Sequence, residues 1–344
     1  MKAVMLHGLG DVRLEDVPEP GPPEPDEVTI KVSRCGICGT DAHEFAHGGP
    51  MTPLTRRHPG SGHIGPTVIG HEFTGTVVAV GAHASGFAEG SRVVAGAGRW
   101  CGTCAACRAG RTNLCVRYCT YGLNMHGGMT EYINVPAAMC VPVPDNCPDA
   151  SAVLAQPLAI AMHAVDRSAA APGTHALVVG AGAIGALLVA AGAHQALSMS
   201  VVDVDAARLE TATELGAERT ELVVDGDQPP PFADVPVVFE ASGTAAGLRH
   251  ALSAVSPGGR VVAVGLPAAP VPVELRAAVV SEVDIVSSSA HVCRQDLPKA
   301  IYLLAARRID EVLVAQVVGM DVLVDGGLAE VAAGGVRGKT IVAM

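Results

Sequence analysis

Four cysteines, Cys101, Cys104, Cys107 and Cys115, stand in a C-x2-C-x2-C-x7-C spacing, and upstream of them lie Cys38-Gly39-Thr40-Asp41-Ala42-His43 and Gly70-His71-Glu72. Both sets suit zinc. Four thiolates from one short stretch satisfy a tetrahedral ion completely, so the cysteine cluster predicts a closed, structural site; a redox or metal-storage cluster is its alternative. One Cys, one His and one carboxylate drawn from distant stretches instead leave room for an exogenous oxygen, which is what chemistry at a metal needs. His71 and Glu72 are neighbours and cannot both point the same way on a regular strand, so one is expected to ligate directly and the other from a distorted or more distant position. Cys35 makes a C-x2-C pair with Cys38, but Cys38 alone is the expected ligand. Cys35, Cys119, Cys140, Cys147 and Cys293 lack patterning and read as buried thiols.

A second kind of chemistry is carried by Gly180-Ala181-Gly182-Ala183-Ile184-Gly185, a G-x-G-x-x-G run that follows an apolar strand and opens a helix, with Asp203 ending the next strand. Glycines allow a tight turn and close approach of backbone to a pyrophosphate. The helix N-terminus supplies amide donors and partial positive charge, and the acid suits the ribose hydroxyls of adenosine. A carboxylate at 203 repels a 2′-phosphate, so NAD is expected over NADP; Arg208 tempers that preference unless it only faces solvent. Val264-Gly265-Leu266, at the end of a later strand, also falls where the sheet's carboxyl edge meets ligand.

The elements that must position these groups change character along the chain. Up to about residue 150, short β-branched runs at 28–32, 74–80, 92–95 and 131–135, bounded by Gly and Pro, predict an antiparallel, barrel-like β domain. A helix is expected over 152–170. Then come apolar strands at 176–179, 199–203, 222–224, 237–240, 260–264 and 284–288, with helices at 183–193 and 206–215, the pattern of βαβ units around a parallel sheet. Beyond 292 a helix at 297–306 and short mixed elements are expected to rejoin the first domain.

Bulk properties restrict the partners. At 344 residues, two domains are the default. Hydrophobic residues make up 49% and the mean hydropathy is +0.36, yet 40 Gly and 24 Pro interrupt every apolar run before the roughly 18–20 residues a membrane helix needs, so no span is expected. The start, Met1 to Leu6 and then polar Asp11 and Arg13, has no leader pattern and predicts a cytoplasmic protein, where ten cysteines serve as ligands or buried thiols rather than disulfides. The net charge of −11 excludes general attraction to nucleic acid or anionic lipid. With 3% aromatic residues and the single Trp100, any pocket must be lined mainly by aliphatic and small side chains.

In this order the motifs resemble those of the zinc-dependent medium-chain dehydrogenase/reductase family of alcohol and polyol dehydrogenases. The resemblance rests on Gly36-Ile37-Cys38-Gly39-Thr40-Asp41, Gly70-His71-Glu72-Phe73-Thr74-Gly75, the cysteine lobe, the glycine turn, Glu240-Ala241-Ser242-Gly243 and Pro257-Gly258-Gly259-Arg260-Val261-Val262. Cys35-Gly36-Ile37-Cys38 through His43-Glu44-Phe45, then Gly48-Gly49-Pro50 and a long loop to Pro66, is most similar to the 2,3-butanediol and sorbitol dehydrogenase branch.

That resemblance implies an α/β protein with a GroES-like, β-rich catalytic domain over 1–155 and a zinc lobe at about 96–118. A Rossmann-type, doubly wound NAD domain follows over 156–292, and 293–344 returns to the catalytic domain. It implies one structural and one catalytic zinc per chain, the latter on Cys38, His71 and Glu72, because in the polyol branch the glutamate commonly reaches the metal, whereas in other alcohol dehydrogenases it sits behind it. Thr40 and His43 would form a proton relay. Where polyol dehydrogenases usually carry Glu-Pro, this chain has Gln156-Pro157, a neutral and poorer donor, read as a weak or outer contact to the metal site rather than as the mark of a lost metal. The expected activity is hydride transfer between NAD and a small secondary alcohol, vicinal diol or polyol, giving the ketone, in a homodimer or homotetramer assembled through strands near 283–289. The alternatives are a zinc-free quinone or double-bond reductase of the same fold, and a non-catalytic zinc- and dinucleotide-binding protein. His47, His58 and His63, around the 48–66 loop, are expected to be solvated rather than to form a lid or a further metal site.

Overall fold

The computed structural model describes residues 1–223 and 231–344, with Asp325 described by its backbone alone. The chain forms two compact units, Met1–Gln156 with Val292–Met344, and Pro157–His291.

In the first unit the longest strand, β1 (Glu27–Gly36), holds the sheet together. Along it Val28, Ile30 and Val32 are buried while Lys31 is exposed, as a one-sided strand requires. It pairs antiparallel with β2 (Glu72–Val80), which pairs in turn with β3 (Arg92–Ala95). Its first half also pairs with β4 (Tyr132–Pro136), and its last three residues with the chain's terminal strand, Lys339–Ala343. Phe73, Val77, Val93 and Val94 fill the core beneath. The ends of β1 and β2 therefore meet, Gly36 opposite Glu72, with Lys339 entering beside them from the far end of the sequence. A Cβ at Gly36 would displace the Glu72 carboxylate, so glycine leaves that side chain its present position between the strand ends.

Helix α1 (Gly39–His47) begins as soon as β1 stops. Asp41, its third residue, accepts the Cys38 N–H at 2.9 Å through Oδ2, a capping arrangement that also places a carboxylate in the first turn, where the helix dipole favours it. Gly48 closes it in a left-handed conformation. Instead of one helix from 152 there are two: Asp149–Ala152, then α2 (Ala155–Ser168), in which Pro157 falls in the first turn, where a missing N–H costs nothing.

The second unit is a six-stranded, all-parallel sheet. In chain order its strands are β5 (His175–Val179), β6 (Ser198–Asp203), β7 (Arg219–Leu222), β8 (Val235–Glu240), β9 (Val255–Ala263) and β10 (Asp284–Ser287). In space they run β7-β6-β5-β8-β9-β10, the order that reverses direction between β5 and β8 and opens a ligand crevice there. Near-continuous apolar strands are buried on both faces, with Leu177, Val179, Val202, Val235, Val238 and Val261 in one core cluster. Helices α3 (Ala183–His194), α4 (Ala206–Leu215) and α5 (Ala245–Ala254) connect them. The strand expected at 222–224 lies earlier, at Arg219–Leu222, and Val224 falls outside the described residues.

After this unit, α6 (Cys293–Ala306) starts four residues ahead of the expected 297, because Asp296 accepts the Val292 N–H at 2.6 Å and caps an extra turn before Pro298. β11 (Val314–Gly319) and β12 (Lys339–Ala343) finish the chain as a parallel pair on the first unit's sheet. Among the described residues no helix is long and apolar enough to cross a membrane.

Candidate active site

Cys38, His71 and Glu72 converge: each offers one ligand atom, and these lie within 4.8 Å of one another. The adjacency problem of His71 and Glu72 is solved by the backbone. His71 precedes β2 rather than belonging to it, and follows Gly70, whose φ of 92° turns the chain. A Cβ at Gly70 would also strike Met129 and Cys35. Freed from strand alternation, both side chains face the same point. Cys35 is fully buried and its thiol is pushed well up by burial, so it stays a packing residue.

Two groups around this triad escaped the reading of the sequence. Asp41 Oδ1 lies 3.5 Å from His71 Nδ1, so the residue that caps α1 also orients the imidazole, leaving the other nitrogen for a ligand. The hint was local: an acid three residues after Cys38 is a helix-start signature. Lys339 carried no such hint. Its ammonium is buried and donates to Glu72 Oε1 at 2.8 Å and to the Ile37 carbonyl at 2.8 Å, with Glu72 Oε2 2.5 Å away but off the hydrogen-bond direction.

Electrostatics supports a cation at the centre. Burial opposes charge on His71, but Asp41 and Cys38 outweigh it and hold the imidazole pKa well above its ordinary value. Burial likewise opposes charge on Lys339, and Glu72, followed by Cys38, keeps it protonated. With Cys38 as a thiolate and His71 neutral as a ligand must be, three formal anions face one ammonium, and a divalent cation in place of the imidazole proton makes the cluster neutral. Asp41 Oδ1 and His71 Nδ1 face each other at 3.5 Å, and Glu72 Oε2 lies beside the Lys339 ammonium without an aligned hydrogen bond, so the charges are gathered round the site but not fully satisfied by one another. The donor set of sulfur, nitrogen and oxygen fits zinc.

Thr40 Oγ1 lies 3.6 Å from Cys38 Sγ. His43 sits one turn further along α1, its ring stacked on His47 with centroids 4.2 Å apart. Gln156, in the first turn of α2, is buried with Oε1 unpartnered. The loop after α1 is pinned rather than freely solvated: buried Glu44 accepts the Met51 and Thr52 N–H groups and the Thr52 hydroxyl. His58 Nδ1 accepts the Gly60 and Ser61 N–H groups, and His63 Nε2 meets Thr67 Oγ1 at 2.8 Å. These histidines form no further metal cluster among the described residues.

Cys101, Cys104, Cys107 and Cys115 also bring their sulfurs within 4.8 Å of one another. Backbone amides are aimed at them: the Cys104 N–H points at Cys101 Sγ at 3.4 Å, and those of Cys101 and Arg117 at Cys115 Sγ at 3.2 and 3.3 Å. Hydrogen bonds from Thr103, backbone first, bring the Cys101 thiol down to about 5, while burial and then the neighbouring Cys104 push Cys107 up to about 12, so the four sulfurs share their protons unequally until an ion displaces them. No remaining ligand position faces substrate, as a closed structural site demands.

In the second unit a cavity of about 260 Å³ is lined by Gly180, Gly182, Asp203, Arg208, Ser242 and His250, among others. Gly180 has φ 95° and abuts Ser242; a Cβ at Gly185 would run into the Gly180 carbonyl. Gly182, the N-cap of α3, faces open space where its Cβ would be, which leaves room for a close approach of ligand to backbone. Ala183, Ile184 and Gly185 form the first turn behind it. Asp203 accepts the Ala181 N–H at 2.6 Å and the Asp205 N–H at 2.8 Å, which fixes its carboxylate beside the turn. Arg208 is half-buried, 3.8 Å from Asp203, rather than on a solvated face. Val264, Gly265 and Leu266 follow β9 at the sheet's carboxyl edge but do not line this cavity, and Leu266 is exposed.

A GroES-like fold with a Cys-His-Glu centre, joined to a six-stranded dinucleotide-type sheet, defines a zinc-binding dehydrogenase. Residues 24–145 match the alcohol dehydrogenase GroES-like domain and residues 179–306 the zinc-binding dehydrogenase domain. The chain is 31% identical over 320 residues to sorbitol dehydrogenase of Bacillus subtilis, covering 90% of this chain and 87% of that one. It therefore belongs to the zinc-type alcohol dehydrogenase family. The structure of 2R,3R-butanediol dehydrogenase from B. subtilis superposes with a TM-score of 0.90 at 28% identity, over 100% of this chain and 99% of that chain. A zinc-binding dehydrogenase from Sinorhizobium meliloti, solved with NADP, gives 0.87 at 28%, over 100% and 99%. The family uses a pyridine nucleotide, and both cofactor forms occur among such neighbours.

Proposed function

We propose that this chain is a zinc- and NAD-dependent oxidoreductase that interconverts a small, uncharged secondary alcohol, vicinal diol or polyol with its ketone. The observation that carries this reading is the convergence of half-buried Cys38 with buried His71 and Glu72 into a cluster whose charges, with those of Asp41 and Lys339, a divalent cation balances. Zinc held there would supply a Lewis acid that lowers the pKa of an alcohol oxygen, and the nicotinamide ring would accept hydride. The chain's own residues do the rest. Thr40, beside Cys38, takes the hydroxyl proton and His43, one turn on, delivers it to water. Asp41 fixes the His71 ring, Lys339 fixes Glu72, and Gln156 offers its free Oε1 to water or substrate hydroxyl. Cys101, Cys104, Cys107 and Cys115 hold the structural zinc.

NAD is preferred over NADP because the carboxylate of Asp203, fixed by two backbone amides beside the glycine turn, would repel a 2′-phosphate; Arg208 pairs with it and offsets the repulsion only partly. Domain limits near 1–155, 156–292 and 293–344 follow from the same reading. β10 is a sheet edge that exposes Ile285 and follows exposed Val279 and Val280, a surface suited to pairing with a second copy of the chain. The test is a screen of diols, polyols and hydroxyketones with NAD and NADP, with zinc measured on the same preparation. Two zincs per chain and NAD reduction by a member of the panel are expected. A zinc-free preparation that reduces quinones or double bonds would overturn the proposal, and zinc-loaded protein inert to the whole panel would leave a binding role in its place.

A further inference from the structure

The dinucleotide-type cavity contains one group that neither the glycine turn nor the acidic residue accounts for. His250, on the inner face of α5, is 8% exposed, lines the cavity, and its Nε2 is fully buried with no hydrogen-bond partner. A buried imidazole nitrogen without a partner is a standing cost to the folded chain, and a polar group entering the cavity that His250 lines would relieve it.

The size and lining of the cavity narrow what that group is. At about 260 Å³ it is smaller than the roughly 300–1,000 Å³ of a pocket enclosing a whole ligand, so it takes part of one. Asp203 and the glycine turn suit the ribose and pyrophosphate. Val202, Val204, Val223, Ala241 and Ala246 supply apolar wall, and His250 is the imidazole among them. Apolar walls suit the faces of a purine, but its polar edge loses water on entry and needs a partner. We propose that His250 hydrogen-bonds through Nε2 to the adenine edge of the bound dinucleotide and so selects for an adenine nucleotide. An imidazole can donate or accept there by changing tautomer, so either polar feature of the adenine edge is met. This inference rests on the dinucleotide reading above.

The test uses the zinc-loaded full chain and ADP-ribose, which carries the adenosine half without nicotinamide. Calorimetry on the wild type, His250→Leu and His250→Gln should show ADP-ribose binding weakened about tenfold in the leucine variant, 1.4 kcal/mol, with glutamine restoring most of it. Without ligand, His250→Leu should melt no lower than the wild type, since it removes an unsatisfied buried nitrogen, while the stabilising shift on adding ADP-ribose shrinks. A purely structural histidine predicts the opposite, a lower melting temperature with affinity intact. Equal ADP-ribose affinity in the wild type and His250→Leu overturns the role of His250 alone. No ADP-ribose binding by the wild type overturns both this inference and the dinucleotide reading.

Discussion

Replacing Lys339 with Met tests whether Glu72 is held ready for a metal by a buried ammonium. Methionine keeps most of the side chain's bulk, so the substitution removes chiefly the charge. What remains is a Glu72 carboxylate only 1% exposed and an Ile37 carbonyl without its donor. Breaking a buried ion pair by deleting one partner costs about 3–5 kcal/mol. For a unit of this size each kcal/mol is worth about 2–4 °C in melting temperature. The metal-free variant should therefore melt roughly 6–20 °C below the metal-free wild type. Zinc should then rescue the variant more than it stabilises the wild type, because a dication supplies the positive charge that Glu72 has lost. Thermal unfolding of both proteins, with chelator and with added zinc, measures all four values. Metal-free melting temperatures within 2 °C of each other, or identical zinc shifts, would refute the claim that the Lys339 ammonium supports the buried Glu72 carboxylate.

Gln156→Glu should slow zinc loss under chelator, since it adds an anion at a site now charge-balanced; unchanged retention would remove Gln156 from the metal's surroundings. Asp203→Ala should raise the KM for NAD about tenfold or more, by losing the ribose acceptor and the hold on the Ala181 amide, and shift preference toward NADP. Parallel titrations of the two cofactors check this, and an unaltered NAD:NADP ratio would contradict it. For Asp149, burial works to raise the pKa, but hydrogen bonds from Ser33 and Arg92 and the charge of Arg92 prevail and hold it below the ordinary 3.8. A lowered pKa stabilises the fold above 3.8 and that stability is lost as pH falls through the folded-state value. Asp149→Asn should accordingly cost about 1 kcal/mol at neutral pH and nothing in strong acid, read from urea unfolding at both pH values.

Legibility in the sequence followed the range of the interactions. The zinc lobe and glycine turn are local: spacing over a few residues determines where the sulfurs and amides point, so the motif is nearly the structure. The sheet strands were legible because burial on one face or both leaves a periodic record, as in Val28, Ile30 and Val32. Errors fell where one side chain shifted a helix boundary, as Asp296 does for α6. The open site was only half legible. Cys38, His71 and Glu72 announced themselves by type, but their convergence depends on Gly70 turning the chain and on the strand ends meeting. Lys339, 267 residues from Glu72, reaches it only through the pairing of β12 with β1. His250 gave no signal either, since a histidine in an amphipathic helix looks like any other until the cavity beneath it is seen.

Lys339 also changes how Gln156 is understood. Judged from the ligands alone, a neutral amide in place of a carboxylate looks like a weakness, leaving thiolate and glutamate to hold the ion. The structure adds a buried acid, Asp41, and a buried base, Lys339, to that count, and their charges cancel. With a divalent ion the whole buried cluster is neutral, the least costly condition for charges removed from water. A glutamate at 156 would leave one uncompensated negative charge, binding the ion more tightly while blunting its pull on a substrate oxygen. On the proposed placement of Gln156 beside the metal, the double variant Gln156→Glu with Lys339→Met should depart from additivity, because each substitution would add negative charge to the same site; strictly additive effects would put Gln156 outside the cluster.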